Sequence, residues 1–411
     1  MVVAAGLLLA LLSHAAETTA AQPATEPRVF LLDAKYLALT RQRLREGDKT
    51  LLPALAALER DAKAALEEGP FSVVDKPVTP PSGDKHDYMS EAPYFWPNPA
   101  TSNGLPYVRH DGKRNPDINK IPNHRDMGRM CDTVETLAEA YYFTGDETYA
   151  AKAAQLLRAW FLHPATRMNP NLEYAQAVLG VNSGRGTGLI ESRGLTSVVD
   201  GIGFLAGSKS WTKSDDDGLK AWFAAFLQWM QESKHGRAEA AAKNNHGTYY
   251  DVQAVSFALF LGRTNLAEQI VRDARQKRIA VQVEPDGRQP LELARTKAWS
   301  YSVGNLSGLM LLARLGECVG VDLWGYQTKD GRSIGKALDY LTPFATGEKK
   351  WPYQQLGGWS AGGYAPLVRQ AALHYPERYA ELGRKMSRRT AAGRDLLLRP
   401  NPAPDQPPLR D

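Results

Sequence analysis

One short segment of the 411-residue chain gathers side chains that could bind an anion and move a proton. It runs from Lys243 to Asp251 and reads Lys-Asn-Asn-His-Gly-Thr-Tyr-Tyr-Asp, and a largely apolar run from 252 to 261 follows it. Polar side chains at the start of an apolar helix are unfavourable to bury unless they are hydrogen-bonded. One asparagine is enough to cap a helix. The second amide before His246 therefore indicates a functional role for the segment.

A second cluster of polar and aromatic residues lies downstream. Its members are Glu292, Arg295, Lys297, Trp299, Tyr301 and Asn305. A histidine, an arginine, amides and a tyrosine can together neutralise a carboxylate and transfer a proton without a metal or a cofactor. The spacing of Arg295, Trp299 and Ser302 predicts that they share one helix face. The alternative interpretation is a solvated charged face with aromatic residues packed in the core.

Other kinds of catalytic site are poorly matched by the sequence. No second histidine lies at ligand spacing from His246, so a metal site is not predicted. The run from Gly184 to Gly188 lacks the lysine and the preceding strand of a phosphate-binding loop. We interpret it as a tight loop that brings four polar residues to a surface. These residues are Asn182, Arg185, Glu191 and Arg193.

A long segment from 70 to 123 shows no hydrophobic period and is rich in Pro, Gly, Asn and aromatic residues. Long irregular segments in compact proteins are usually functional loops. Tyr88, Tyr94 and Trp96 lie in a proline-braced part of it and suit stacking on sugar rings. A hydrophobic cluster beneath the loop is the alternative explanation for these aromatic residues.

The composition is that of an ordinary globular protein, with 43% hydrophobic and 23% charged residues. The net charge of +5 suits an anionic ligand. No dense stripe of Lys and Arg indicates nucleic-acid binding. The two cysteines, Cys131 and Cys318, are too few for a disulfide scaffold. Buried free thiols are the favoured interpretation, and one bridge between them stays open in an oxidising compartment.

The N-terminus reads as an export signal. Residues Val2 to Leu12 are almost wholly apolar, and small residues follow them. We predict a signal peptide over 1–21 that lacks a basic start, and hence a periplasmic or secreted protein. A frayed apolar terminus is the alternative. The run is too short for a membrane span. The rest divides into a single domain over 22–399 and a proline-rich, loose tail over 400–411.

Helical periodicity dominates the remainder of the chain. The predicted helical ranges are Leu37–Leu66, Met127–Phe143, Glu147–Phe161, Ser302–Leu315, Ile334–Leu341, Pro366–Ala372 and Pro376–Leu396. Two apolar helices are followed by a glycine and another helix, at Gly145 and Gly262, which is typical of helical hairpins. Ile279 to Val283 could be a short strand or a loop. The pattern predicts an all-α domain of ten or more helices, closed into a toroid with the site in loops at one end.

These motifs together resemble the alginate lyase superfamily of polysaccharide lyases. The resemblance rests on Asn244–Asp251, Arg295–Tyr301, Asp87–Pro97 and Asn182–Gly186, and it runs from about Asp84 to about Tyr353. The chain is most similar to polysaccharide lyase family 38, which includes glucuronan and alginate lyases, and more distantly to family 5. The resemblance implies an all-α fold, an (α/α) toroid or incomplete barrel of six or seven helical hairpins with long loops around a substrate groove.

The resemblance also implies β-elimination in a 1,4-linked polyuronate, such as alginate, polymannuronate or glucuronan, which leaves 4,5-unsaturated ends. Asn182 or Asn245, together with His246 and Arg295, would neutralise the C5 carboxylate. Tyr301 would act as the base, the acid or both, and Arg295 and His246 are expected to favour its phenolate form. If Tyr301 performs both transfers, elimination is syn. For the opposite stereochemistry, His246 is the base and Tyr301 the acid. No cofactor and no metal are implied.

The predicted partner is an anionic polysaccharide, with neither nucleic acid nor membrane insertion of the mature chain. The residues predicted to bind it are Tyr88, Tyr94, Trp96, Arg185, Arg193, Tyr249, Tyr250, Glu292 and Trp299. Two other functions stay open. A glycoside hydrolase on the same toroid needs a pair of carboxylates, for which the candidates are Asp87, Glu191, Asp251 and Glu292. A non-catalytic polyuronate-binding protein is the second.

Overall fold

The computed structural model describes residues 26–387 and 393–399. The predicted signal peptide, 1–21, and the predicted tail, 400–411, lie outside these ranges. The described residues form sixteen α-helices, several short 3-10 and π-helical turns and four short strands. None of the described helices is long and apolar enough to cross a membrane.

The α-helices are α1 Ala34–Arg45, α2 Leu52–Ala65, α3 Asn123–Thr144, α4 Glu147–Leu157, α5 Leu195–Phe204, α6 Lys213–Glu232, α7 Lys234–Ala240, α8 Asn245–Phe260, α9 Thr264–Ala274, α10 Ala280–Gln282, α11 Pro290–Leu293, α12 Ala298–Glu317, α13 Ile334–Thr346, α14 Ala365–His374, α15 Pro376–Ser387 and α16 Asp395–Leu398. The strands are β1 Met89–Glu91, β2 Phe95–Trp96, β3 Val108–Arg109 and β4 Tyr174–Ala177. β1 pairs in parallel with β4, and β2 pairs antiparallel with β3.

Consecutive helices pack as hairpins, which confirms the predicted all-α toroid. Helix α3 packs on α4, α8 on α9, α12 on α13 and α14 on α15. The first two hairpins turn at Gly145 and Gly262, which adopt φ of 75° and 72°. Glycine reaches this left-handed region without the steric penalty of a side chain.

Helix α8 lies at the centre of the helical packing. It contacts α5, α6, α7, α9 and α12, and fourteen of its sixteen residues are buried. A helix that is apolar around most of its circumference must be surrounded by other elements. The position of α8 is therefore fixed by packing, and its polar first turn is held in place.

The N-terminal segment 28–32 covers one end of the toroid. Asp200 on α5 accepts hydrogen bonds from the backbone N–H groups of Phe30, Leu31 and Leu32. Arg28 donates to the backbone carbonyls of residues 259 and 260, at the C-terminal end of α8. Arg314, near the C-terminal end of α12, donates to the Leu32 carbonyl. The N-terminal ends of α8 and α12, which carry both polar clusters, therefore lie at the opposite, uncovered end.

Three details differ from the sequence expectations. Residues Arg275–Ile279 form a π-helical turn that continues into α10, so the strand or loop predicted for 279–283 is wrong. Helical spacing buries Ile279 and Val283 on one face and leaves Val281 exposed. Arg295 precedes the first residue of α12, so it does not share a helix face with Trp299 and Ser302. Helices α5 to α7 were not predicted.

Both cysteines have free thiols. Cys131 is buried and Cys318 is exposed, and no bridge joins them. This agrees with the favoured interpretation of free thiols, although burial holds only for Cys131.

Candidate active site

A cleft of about 960 Å³ opens at the N-terminal ends of α8 and α12. Its walls come from these two helices, from the irregular segment 70–123, from β4 and from the 3-10 helix Gly186–Gly194. Six cationic side chains line it: Arg109, Arg114, Arg185, Arg193, Arg295 and Lys297. Glu191 is the only carboxylate that lines it within the described residues. The excess of positive charge favours an anionic ligand.

His246 is oriented by a buried carboxylate. Asn244 caps α8 by accepting the backbone N–H of His246. The Nδ1 atom of His246 lies 2.6 Å from Oε1 of Glu239, whose side chain is 2% exposed. A carboxylate accepts hydrogen bonds, so Nδ1 carries the proton. In the neutral imidazole Nε2 then carries the lone pair, and it is the nitrogen left for a ligand.

Asn245 is held in the same manner by Glu292. Its backbone N–H and its side-chain Nδ2 donate to the two carboxylate oxygens of Glu292 at 2.7 and 2.8 Å. Burial raises the pKa of Glu292, while the hydrogen bonds from Asn245 oppose this effect. Because Nδ2 is occupied, the amide orientation is fixed, and the side-chain oxygen is left to face away from Glu292.

Arg295 is clamped by Asp111 from the irregular segment. Its Nε and Nη2 atoms donate to the Asp111 carboxylate at 2.7–3.1 Å. The backbone N–H and hydroxyl of Thr296 donate to the same carboxylate. Burial acts to raise the pKa of Asp111, but the hydrogen bonds from Arg295 and Thr296 hold it well below its ordinary value. The guanidinium is thus fixed by a two-point ion pair.

Tyr301, in the first turn of α12, lies between this guanidinium and a second tyrosine. The Arg295 Cζ atom lies 4.1 Å from the centre of the Tyr301 ring. The Tyr301 and Tyr94 hydroxyl oxygens are 2.7 Å apart. Burial raises the pKa of Tyr301 well above its ordinary value, as does the hydrogen bond that its hydroxyl donates to Tyr94, and the nearby Arg295 opposes them only in part. Arg295 thus favours the phenolate as expected, but burial and the contact with Tyr94 outweigh it, and together these effects favour the neutral phenol.

The remaining walls place cations against aromatic rings. Arg193 lies over the Tyr249 ring at 5.5 Å, and Arg185 over the Phe95 ring at 5.0 Å. Arg185 also donates to Gln176 Oε1 at 2.8 Å. Such contacts hold a guanidinium in place while its charge stays available to a ligand.

The alginate lyase family model matches residues 72–351 of this chain. A crystal structure of an alginate lyase from Bacteroides ovatus is 38% identical, with a TM-score of 0.87 over 92% of this chain and 100% of that one. The chain belongs to the alginate lyase family. It is therefore a polysaccharide lyase, and the family assignment confirms the resemblance seen in the sequence.

Two less similar structures resemble this chain in fold alone. Alginate lyase A1-III from Sphingomonas species A1 is 14% identical, with a TM-score of 0.54 over 86% of this chain and 90% of that one. A structure of alginate lyase A1-III complexed with tetrasaccharide is 14% identical, with a TM-score of 0.51 over 85% and 88%. No curated protein matches the chain.

Eight of the residues predicted for a lyase site line the one cleft. They are Tyr94, Arg185, Arg193, Asn245, His246, Tyr249, Arg295 and Tyr301. They come from the irregular segment, from the glycine-rich loop and the 3-10 helix that follows it, from the N-terminal half of α8, and from the start of α12 and the residues just before it. The structure therefore brings together the parts that the alginate lyase resemblance assigned to catalysis, whatever the role of each residue.

Six predicted residues do not line the cleft. They are Tyr88, Trp96, Asn182, Tyr250, Glu292 and Trp299. Glu292 is a buried support for Asn245. The Asn182 side chain accepts the backbone N–H of Val178 on the surface, so Asn245 is the asparagine that fits beside His246. Burial contradicts direct contact with the substrate for Tyr88, Tyr250, Glu292 and Trp299. For Trp96 and Asn182, which keep exposed surface, such contact stays a prediction.

The aromatic residues among them are used for packing or support. Trp299 packs against Trp351 and Trp359 and is 3% exposed. Tyr250 donates to the Met230 carbonyl, and Trp96 donates to the Lys113 carbonyl. Tyr88 is fully buried and donates to Glu191. For these side chains the ordinary interpretation of Trp and Tyr as packing residues holds.

Several site residues were not found from the sequence. They include Asp111, His124, Gln176 and Glu239. Each is distant in sequence from its partner or lies on a different element, so no helical or strand period links them. Glu239 precedes His246 by seven residues, but α7 and α8 are separate helices and the spacing carries no signal.

The carboxylates proposed for a hydrolase do not form a pair in the cleft. Asp251 pairs with buried Arg278. Asp87 accepts hydrogen bonds from Asn169, Asn171 and Ser82. A hydrolase would need a second carboxylate across the bond from Glu191, and none lines the cleft within the described residues. Among these residues, no group of three His, Cys, Asp or Glu side chains could hold a metal ion.

Proposed function

We propose that this lyase cleaves a 1,4-linked polyuronate by β-elimination in the cleft. The proposal rests on one observation: Tyr301, Arg295, His246 and Asn245 line the same cleft, together with five further cationic side chains. Alginate is the favoured substrate because the relative from Bacteroides ovatus is an alginate lyase. Glucuronan is the second candidate, on the resemblance to family 38.

Three groups of fixed orientation face the substrate. Asn245, His246 and Arg295 are each held by a carboxylate from another segment. His246 is left to act as the base, while the charge of Arg295 and the second Nδ2 hydrogen of Asn245 withdraw electron density from the C5 carboxylate of the substrate. This makes the C5 proton more acidic and stabilises the enolate that forms. Donors fixed in advance need little reorganisation when charge develops.

The proton transfers are assigned from the contacts of Tyr301 and His246. Tyr301 is a neutral phenol, so it is suited to protonate O4 as the C4–O4 bond breaks. The Nε2 atom of His246 has a lone pair and is suited to accept the C5 proton as the C4=C5 double bond forms. Elimination by Tyr301 alone needs prior loss of its phenolic proton, which its raised pKa opposes.

The experiment is a panel of polyuronates followed at the ultraviolet absorbance of the unsaturated product. Mannuronate-rich and guluronate-rich alginate, glucuronan and hyaluronan are compared, with and without a chelator. We expect absorbance to rise with at least one alginate fraction or with glucuronan, at the same rate with the chelator. Cleavage without the chromophore would indicate a hydrolase. Binding without cleavage would indicate a binding protein.

We also propose that residues 1–21 direct export to the periplasm or the cell exterior and that 22–399 form one domain. The apolar run and the small residues after it support the first proposal. The contacts of segment 28–32 with α5, α8 and α12 support the second. Mass spectrometry of the N-terminus after expression in a bacterium with a periplasm tests the cleavage. An uncleaved N-terminus would contradict it.

A further inference from the structure

Glu191 is the only acidic side chain that lines the cleft within the described residues, among six cations. A polyuronate carries a carboxylate on every sugar. A fixed carboxylate in its binding cleft repels those groups wherever they come close. Recognition of uronate carboxylates therefore does not explain Glu191, and a different chemical group of the substrate must face it.

The Glu191 carboxylate is held in place by two buried donors. The Tyr88 hydroxyl donates to Oε2 at 2.7 Å and the Ser90 hydroxyl donates to the same oxygen at 2.6 Å. Tyr88 is 0% and Ser90 2% exposed, and the Glu191 side chain is 4% exposed. Oε1 forms no hydrogen bond within the described part of the chain. One oxygen is thus fixed by the protein and the other is left for a ligand.

The same wall continues through a connected polar network. The Ser90 hydroxyl accepts the backbone N–H of Gln176 at 2.8 Å. Gln176 has φ of 52°, a left-handed conformation that is uncommon for residues other than glycine and is often found at functional sites. His124 lies on the other side, with Nδ1 3.8 Å from Glu191 Oε2 and without a hydrogen-bond partner within the described residues. The wall is built to hold polar groups.

We propose that Glu191 accepts a hydrogen bond from a ring hydroxyl of the bound sugar, and that the enzyme therefore selects polyuronates whose O2 and O3 hydroxyls are free. These are the hydroxyls that 1,4 linkage leaves unsubstituted in the interior of a hexuronate chain. An O–H donor to a carboxylate forms a strong, charge-assisted bond. Acylation of O2 or O3 removes the donor, adds bulk and leaves a mostly buried carboxylate without its partner.

The proposal rests on the proposed function for the identity of the polymer. It is tested with one polyuronate in two forms, with free hydroxyls and chemically acetylated at O2 and O3. The wild type, Glu191→Gln and the matched surface variant Glu348→Gln are compared. We expect wild type and Glu348→Gln to prefer the free form by about tenfold or more in kcat/KM. Glu191→Gln should lose about tenfold on the free form, mainly through KM, and should discriminate less.

Equal cleavage of both forms by the wild type overturns the proposal, as does an unchanged preference in a folded Glu191→Gln variant. Because Glu191 is mostly buried, the thermal melting of this variant is compared with that of the wild type. If the variant does not fold, the rates of the wild type on the two polymers decide whether the proposal stands.

A binding measurement separates this proposal from the proposed function. Calorimetry with free and acetylated tetrasaccharides is performed on the full chain carrying Tyr301→Phe, in which turnover is expected to be lost. If Tyr301→Phe binds the free tetrasaccharide more tightly but the wild type forms no unsaturated product, the Glu191 contact is supported and the elimination is rejected. If Tyr301→Phe binds both tetrasaccharides equally and the wild type does form unsaturated product, the Glu191 contact is rejected and the elimination is supported.

Discussion

The Nδ1 atom of His246 lies 2.6 Å from Oε1 of Glu239, a carboxylate supplied by the preceding helix. The same relationship recurs at Asn245, which binds Glu292, and at Arg295, which binds Asp111. Each group proposed to face the substrate carboxylate is thus oriented by an acid of its own. Supporting hydrogen bonds of this type keep a site within the narrow geometric limits that catalysis needs.

Glu239→Gln should lower kcat by about 10²-fold or more. A glutamine can present its amide N–H to Nδ1, which moves the imidazole proton to Nε2 and removes the lone pair needed for a base. The initial rate of unsaturated product formation measures the effect, and thermal melting verifies the fold. Glu232→Gln, on the surface of α6, is the matched control. Full activity of Glu239→Gln would rule out a positioning role for Glu239.

Tyr301→Phe should abolish turnover, by about 10³-fold or more, while the Kd for an oligosaccharide changes only a few-fold. The change removes one hydroxyl and leaves the ring beneath Arg295, so the acid is lost and the binding surface is kept. Tyr340→Phe is a matched control, because Tyr340 also donates to a second tyrosine, Tyr353, but lies outside the cleft lining. A fully active Tyr301→Phe variant would show that Tyr301 is not the catalytic acid.

Tyr94→Phe should lower the pKa of Tyr301, because the hydrogen bond that the neutral Tyr301 hydroxyl donates to Tyr94 raises it. An acid must be protonated to act, so the alkaline limb of the kcat/KM profile should move to lower pH by about one unit, or about 1.4 kcal/mol. The measurement is the rate of product formation across alkaline pH. If activity instead rises with pH in this variant, Tyr301 acts first as a base.

Glu139→Gln should stabilise the protein at alkaline pH. Glu139 on α3 is 1% exposed, neither carboxylate oxygen has a hydrogen-bond partner within the described residues, and burial raises its pKa to about 8. A carboxyl with a raised folded pKa contributes stability that is lost as pH rises from about 4.5 through about 8. The variant should therefore melt a few °C above the wild type at pH 9 and show no such gain at pH 5. An equal difference in melting temperature at both pH values would contradict this explanation.

Much of the fold could be predicted from the sequence because helical periodicity is a local property. The glycines at 145 and 262 marked the hairpin turns, and both have left-handed backbones in the structure. The exception at 279–283 shows the limit of this approach. A β-branched run favours a strand by propensity, but burial of Ile279 and Val283 on one helical face prevailed.

The segment Lys243–Asp251 divides into residues that face the cleft and residues that hold it. Asp251 pairs with buried Arg278. A Cβ on Gly247 would lie 2.1 Å from the Ala242 carbonyl oxygen and 2.5 Å from Nη1 of the same arginine, so glycine is required there. The motif is therefore as much a packing element as a catalytic one, and residue types alone could not separate the two uses.

The sequence by itself determined the helical fold, because periodicity is local, and the family, because short motifs carry the resemblance. That resemblance in turn implied that His246, Arg295 and Tyr301 share one site. Only the tertiary structure decided which acids hold them. Asp111 lies 184 residues from Arg295, and Glu292 lies 47 from Asn245. It also decided the surroundings of Tyr301, where burial and the contact with Tyr94 raise its pKa more than the nearby guanidinium lowers it. Both outcomes depend on which distant segments fold together around one cleft, and no spacing in the chain encodes that.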